Sequence, residues 1–319
     1  TKQTKALVWL TGDSLAKDDL LLSAELFRLM WHESPHKEAD WGGGVTLHVG
    51  RKVVDEHPGQ GLYVTRDHAW GIDSMAAAYS TQSPEWRARQ KPWFEHVARL
   101  LTDAATPGGI VERNHNTKIL QTDKYYAAQS FECLFLLHAM RGVMESVYEN
   151  SGIAADEELR QALEELHLRT VEYMFWGPIF VRFQPPYQPD PKNPTRFYWG
   201  PRAGFGVAMK DDYATPPFSD EEHWGEDYMP ADALKHDVDV NYNWQALSYA
   251  EELTRETHGA GLDNRYLARS LDCWLQFEDW TAMLQEFYRT TAQRSVENSK
   301  NWIGFVAKVR NLLREKTGK

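Results

Sequence analysis

The sequence predicts an all-α fold, an array of helical hairpins in which one set of helices is buried and the other faces water. Three observations predict it. Segments opening near Asp67, Asp123 and Asn241 are rich in Ala, Leu and aromatic residues on nearly every side. The segments that follow, from Pro84, Asp156 and Asp263, carry one apolar stripe and a charged opposite face. The two kinds alternate strictly, and a helix apolar all round is buried whereas a one-stripe helix lies at the surface. Repeating the pair wraps an inner ring of helices in an outer one. Polar residues at the inner-helix starts then converge on one mouth.

Taken in order, the apolar run Ala6–Leu10 comes first. Ser14 then caps a helix to about His32, with Asp18 and Asp19 favourable in its first turns. Gly42-Gly43-Gly44 and the alternating Val45-Thr46-Leu47-His48-Val49 fit a small β-hairpin near the N-terminus. An inner helix follows from about Asp67 to Ser80. Its outer partner opens at Ser83-Pro84-Glu85, a capping serine before a proline at the first helical position. Trp86, Trp93, Val97 and Leu100 recur there at helical spacing, and Pro107-Gly108-Gly109 ends the helix.

Thr122 or Asp123 opens the second inner helix, which runs through Phe131, Leu134, Phe135, His138 and Val143. In its apolar setting His138 reads as a hydrogen-bonded core residue. The outer partner carries the stripe Leu159, Leu163, Leu166, Thr170 and Met174. A third pair spans about Asn243–Thr257 and Asp263–Tyr288, and a last amphipathic helix carries Trp302, Phe305, Val309 and Leu312. The interval between the second and third inner-helix starts exceeds the first interval by nearly the length of Gly177–Val240. That helix-poor segment, with prolines from Pro178 to Pro201, reads as a long aromatic-rich insertion, a lid or binding loop, within a single domain over 1–319.

Composition narrows the function classes. Lys and Arg number 35 against 46 Asp and Glu, a formal charge of −11 that argues against a nucleic-acid-binding surface. No apolar run is long enough to predict a membrane span. Cys133 and Cys273 sit in apolar helical contexts and read as buried free thiols. The opening Thr-Lys-Gln-Thr-Lys has neither an initiator Met nor a signal segment, as in a processed secreted protein or a piece of a longer chain. No phosphate-cradling glycine motif, nucleophile elbow or zinc signature occurs.

Within this alternation, the phrase Arg66-Asp67-His68-Ala69-Trp70-Gly71-Ile72-Asp73-Ser74-Met75-Ala76-Ala77-Ala78-Tyr79 resembles the six-hairpin (α/α) toroid group of carbohydrate-active proteins, which includes glycoside hydrolases and polysaccharide lyases. The resemblance covers about Gly61 to Tyr288 and rests on pattern, with no family-defining motif. About eight helices are readable where a complete toroid has twelve, so the toroid is incomplete here or earlier hairpins lie upstream of Thr1. The resemblance implies an oligo- or polysaccharide partner, no cofactor, and a secreted or periplasmic location.

Three polar clusters precede or open the inner helices: Arg66-Asp67-His68; Glu112-Arg113-Asn114-His115-Asn116 with Asp123-Lys124-Tyr125-Tyr126; and His236-Asp237-Val238-Asp239-Val240-Asn241-Tyr242-Asn243. Asp67, Asp123 and Asn243 would each serve as a helix N-cap, but a cap needs one residue and each cluster supplies several. Glycoside hydrolysis needs two carboxyl groups across the scissile bond. Asp67 against Asp237 or Asp239 supplies such a pair, with Glu112 and Asp123 in reserve. Elimination from a uronan would instead use Arg113 and Asn114 to neutralise the substrate carboxylate, His115 as base, and Tyr125 or Tyr126 as acid.

Carboxylates outnumber cations at the clusters, which puts hydrolysis first, elimination second, and a non-catalytic glycan-binding or scaffolding domain as the rival. The expected catalytic group is Asp67, His68, Asn114, His115, Tyr126, Asp237 and Asp239. Arg66, Arg113, Tyr125 and Tyr242 are the expected binding residues, with Trp199 and Trp224 of the insertion as stacking platforms for sugar rings. Glu221, Glu222, His223, Glu226, Asp227 and His236 beside Asp237 and Asp239 form a dense donor set that would suit a divalent cation. Their spacing matches no recognised loop, an acidic solvated loop is the plainer account, and no metal is assigned.

Overall fold

The computed structural model describes residues 2–33, 47–112, 125–149, 151–176, 206–210, 240–259 and 264–270. Among them are α1 (Lys2–Thr11), α2 (Ser14–Glu33), α3 (Leu47–Glu56), α4 (Arg66–Thr81), α5 (Pro84–Ala104), α6 (Ser130–Val143), α7 (Ala154–Trp176) and α8 (Val240–His258), and residues 265–270 are helical as well. A π-helical turn, Met144–Tyr148, extends α6. Two short strands, β1 (Tyr125–Gln129) and β2 (Gly206–Lys210), form an antiparallel ribbon. The described part is helical, as the periodicity predicts, apart from this ribbon and one isolated bridge between Leu62 and Glu112.

The hairpin α4/α5 forms where the sequence marks it. The Thr65 N–H donates to His68 Nδ1 across the first turn of α4, and Ser83 Oγ accepts from the Trp86 N–H at the start of α5. Ten of the sixteen residues of α4 are buried, against nine of the twenty-three of α7. Gly71 lets α2 lie flush on α4, because a Cβ there would stand 2.1 Å from the Phe27 ring. At the far end of α5, Gly109 adopts φ +82° against the Thr170 backbone, and Thr170 Oγ1 donates to the Gly109 carbonyl.

Packing arranges these elements in two rows. α4 packs on α6, and behind them α5 packs on α7. Arg66 meets Glu132 at the starts of α4 and α6, while Gly142 abuts Ala76 near their ends, so the two helices run parallel. α2 lies antiparallel to α4, with Trp31 against His68 and Phe27 against Gly71. It also covers α5, where Glu25 accepts hydrogen bonds from Trp86 and Gln90. The core between the rows is continuous, from Ile72, Met75 and Phe94 to Leu134, Leu163 and Leu166.

Three local expectations are corrected. Residues 47–49 open α3 rather than a β-hairpin. Here Gly50 and Val54 are buried at the i, i+4 spacing of a helix, and five alternating residues are too short a window to tell the two periods apart. Tyr125–Gln129 forms a strand rather than the first turns of the second inner helix, because it pairs with residues far along the chain. Helix α8 runs in the same direction as α7 and opposite to α6. His167 of α7 bonds the Ala246 carbonyl, and further along α7 Glu172 and Trp176 meet Tyr266, which follows the far end of α8. The shared sense expected of successive inner helices therefore holds for α4 and α6 but not for α8.

Candidate functional site

Parallel packing of α4 and α6 brings their N-terminal turns together, and acidic residues gather there. Asp67 is exposed in the first turn of α4. Glu132, in the first turn of α6, is 4% exposed. One of its oxygens lies 3.5 Å from Arg66 Nε, and the other is buried without a hydrogen-bond partner. Glu112 is also buried, on the segment that pairs with Leu62, and accepts from the Cys133 thiol at 3.8 Å.

The field of these groups registers on their neighbours. Burial raises the Tyr63 pKa, and the negative charges of Glu132, Glu112 and Asp67 add to it. The free, buried Cys133 thiol is pushed well up by burial and then by Glu112 and Glu132. Both groups stay neutral across the ordinary pH range, so the Tyr63 hydroxyl keeps its proton within the field of these carboxylates.

His68 departs from its expected role. Its ring is buried against Trp31, with centroids 4.9 Å apart, and Nδ1 accepts from the Thr65 N–H. Burial lowers its pKa to about 4. It caps α4 from inside the core instead of lining a cleft. Of the other expected residues, Arg66 and Asp67 stand together at this end of α4. Tyr125 and Tyr126 lie in β1, opposite Lys210 and Met209, immediately before α6. Tyr242 is in the first turn of α8, whose direction sets it apart from the starts of α4 and α6. Arg113, Asn114, His115, Trp199, Trp224, Asp237 and Asp239 lie outside the described residues, as does the acidic donor set from Glu221 to His236, to which no metal is assigned. Among the described residues no three His, Cys, Asp or Glu side chains are placed to hold a metal ion, and no helix is long and apolar enough to cross a membrane.

Sequence reasoning missed a second feature. A cavity of about 520 Å³ opens between α1, α4, α6 and the start of α8. Lys5 and Asp73 form a buried ion pair on its wall, with Nζ 2.5 and 2.6 Å from the two carboxylate oxygens. His138, read from sequence as a core residue, is 39% exposed at the side chain and stands 4.0 Å from Asp73. Arg141 bonds Glu145 and Glu252 along the same wall. Glu145 belongs to the π-helical turn, a distortion often found at functional sites. The signal available in the sequence was Asp73, a carboxylate in the middle of an otherwise apolar helix.

Fold and site together define a class, a helical-hairpin protein with an acidic cluster at the shared start of two inner helices. The chain matches no protein-family model, no curated protein and no solved structure.

Proposed function

We propose that this protein is a carbohydrate-active enzyme of the (α/α) toroid kind that hydrolyses glycosidic bonds. The observation that carries the reading is the gathering of Asp67, Glu112 and Glu132, from three separate segments, at the common N-terminal end of α4 and α6. Hydrolysis of a glycoside needs two carboxyl groups flanking the bond, one to give a proton and one to attack or to activate water. Asp67 stands in water at the rim. Glu132 lies at the adjacent helix start with one oxygen tied to Arg66 and the other free of hydrogen bonds. In this reading Tyr63 and Arg66 hold the substrate hydroxyls, and further hairpins complete the toroid. The negative field at the cluster favours a substrate without carboxylates of its own, which sets hydrolysis ahead of elimination.

The test is cleavage of a panel of neutral and acidic glycans, followed by reducing ends and by ultraviolet absorbance of unsaturated products. Glu132→Gln and Asp67→Asn should each lower reducing-end release by roughly a hundredfold or more, the ordinary size of a general acid or base contribution. Unsaturated products in place of plain reducing ends would replace hydrolysis by elimination. Saturable glycan binding with no cleavage at all would leave a binding domain.

A further inference from the structure

Helix α2 is apolar on two opposite sides. Its inner side, with Ala16, Leu20, Ala24 and Trp31, is buried in the core. Leu15, Leu22, Leu26 and Leu29 stand on the other side and are 77%, 68%, 56% and 45% exposed. At roughly 100° per residue these four fall within about 60° of one another, so they make one straight stripe along the helix. A surface helix turns one apolar stripe to the core and a polar face to water, so the fold of the single chain leaves the second stripe unexplained. Helix α1 enlarges it. Thr4 Oγ1 donates to Asp19, which seats α1 beside α2. Lys5 and Val8 of α1 are buried, whereas Leu7 and Leu10 are exposed.

Area and spacing say what covers this face. From their exposed fractions the six leucines leave roughly 700 Å² open to water, above the roughly 300–600 Å² of the largest apolar patch on a typical monomer. With the exposed Thr11, Asp18 and Asp19 between and beside them, the face reaches the roughly 800 Å² that each partner gives to a standard stable interface. Leu15 and Leu29 each lie seven residues from Leu22, so this part of the stripe reads the same when reversed about Leu22. A surface of that kind fits itself across a two-fold axis. Two copies of α2 laid antiparallel, Leu22 against Leu22, bring Leu15 of each onto Leu29 of the other. A seven-residue repeat holds that register along roughly 20 Å of helix at 1.5 Å per residue. Asp18 and Asp19 border the stripe and fall at the wet rim, where interfaces keep their charges.

We infer that the outer face of the α1/α2 hairpin binds a second copy of this chain, in a two-fold dimer centred on Leu22. The interface lies apart from the acidic cluster at the starts of α4 and α6. It goes beyond the hydrolytic reading and does not depend on it.

The experiment is sedimentation equilibrium of the whole protein over a dilution series, at low and at high salt. The mass should rise with concentration towards twice the chain mass of 36.8 kDa. Each copy carries a formal charge of −11, so salt, which screens the repulsion, should tighten the dimer. Leu22→Glu sets two like charges at the axis and should weaken association at least tenfold. Its circular dichroism should stay unchanged, because Leu22 is exposed in the single chain. Leu22→Lys should act in the same way. An equimolar mixture of the two variants should regain the dimer mass, since Glu then meets Lys across the axis. Leu15→Glu, at one end of the stripe, keeps the test valid if either Leu22 variant fails to fold. A single-chain mass at every concentration would overturn the proposal, and early melting of such a monomer on Leu22→Glu would show that the chain covers the face with its own residues. A dimer indifferent to Leu22→Glu, or a Glu and Lys mixture that stays monomeric, would overturn it too.

Discussion

Removing the ammonium of Lys5 would take from the largely buried Asp73 carboxylate the charge that bonds it directly, leaving His138 4.0 Å away, since Lys5 and Asp73 are 7% and 9% exposed. A buried charge that loses its partner costs about 3–5 kcal/mol, more than the intact pair contributes. Lys5→Met should therefore lower the urea-unfolding free energy by that amount. Adding Asp73→Asn should recover much of it, and the cycle of the two variants isolates the coupling. The buried histidines set a second residue-level expectation. His68 and His167 both have pKa values lowered by burial from 6.5 to about 4. The unfolded chain takes up protons at these sites below about pH 6.5 while the folded one does not, so stability is intact above 6.5 and falls as the pH drops towards 4. Each contributes about 3 kcal/mol to that loss at the acid end of the window. Denaturant midpoints measured from pH 7 to pH 4 should show the decline, and replacing His68 by Asn should flatten it.

At the level of single elements, the closest fit is between α2 and α4. A Cβ at Gly71 would overlap the Phe27 ring, and that ring is wedged beside Trp31 and Trp93. Gly71→Ala should destabilise the protein by about 1–3 kcal/mol in thermal unfolding, despite the better helix propensity of Ala, because overpacking outweighs propensity here. Elements of this kind were legible in the sequence wherever a local signal decides. Ser83-Pro84 marks the start of α5 and Pro107-Gly108-Gly109 its end, and the stripe from Leu159 to Met174 gives α7. Asp67 at the start of α4 was equally legible. Elements decided by distant partners were not. Tyr125–Gln129 reads as helix until Gly206–Lys210 pairs with it. The direction of α8 depends on where Tyr266 and His167 dock, and no periodicity records that. His68 looked like a cleft residue because a polar side chain at a helix start is ambiguous between capping inward and facing substrate.

On the scale of the whole molecule, the acidic cluster and the cavity occupy different stretches of the same two helices. Arg66, Asp67 and Glu132 belong to the first turns of α4 and α6, whereas Asp73, Arg141 and Glu145 stand further along them. A rigid pair of parallel helices thus holds two groups of polar residues at a fixed separation. The β1–β2 ribbon carries a consequence of another sort. Its five residue pairs join strands between which the whole of α6 and α7 is threaded. Closing so long a loop costs conformational entropy that a two-stranded ribbon, marginal by itself, does not repay. Its rungs become favourable once α6 and α7 have docked and shortened the gap between the strands. During refolding the amides of Tyr125–Gln129 and Gly206–Lys210 therefore gain protection after those of α4 and α6, and in the native state they exchange first.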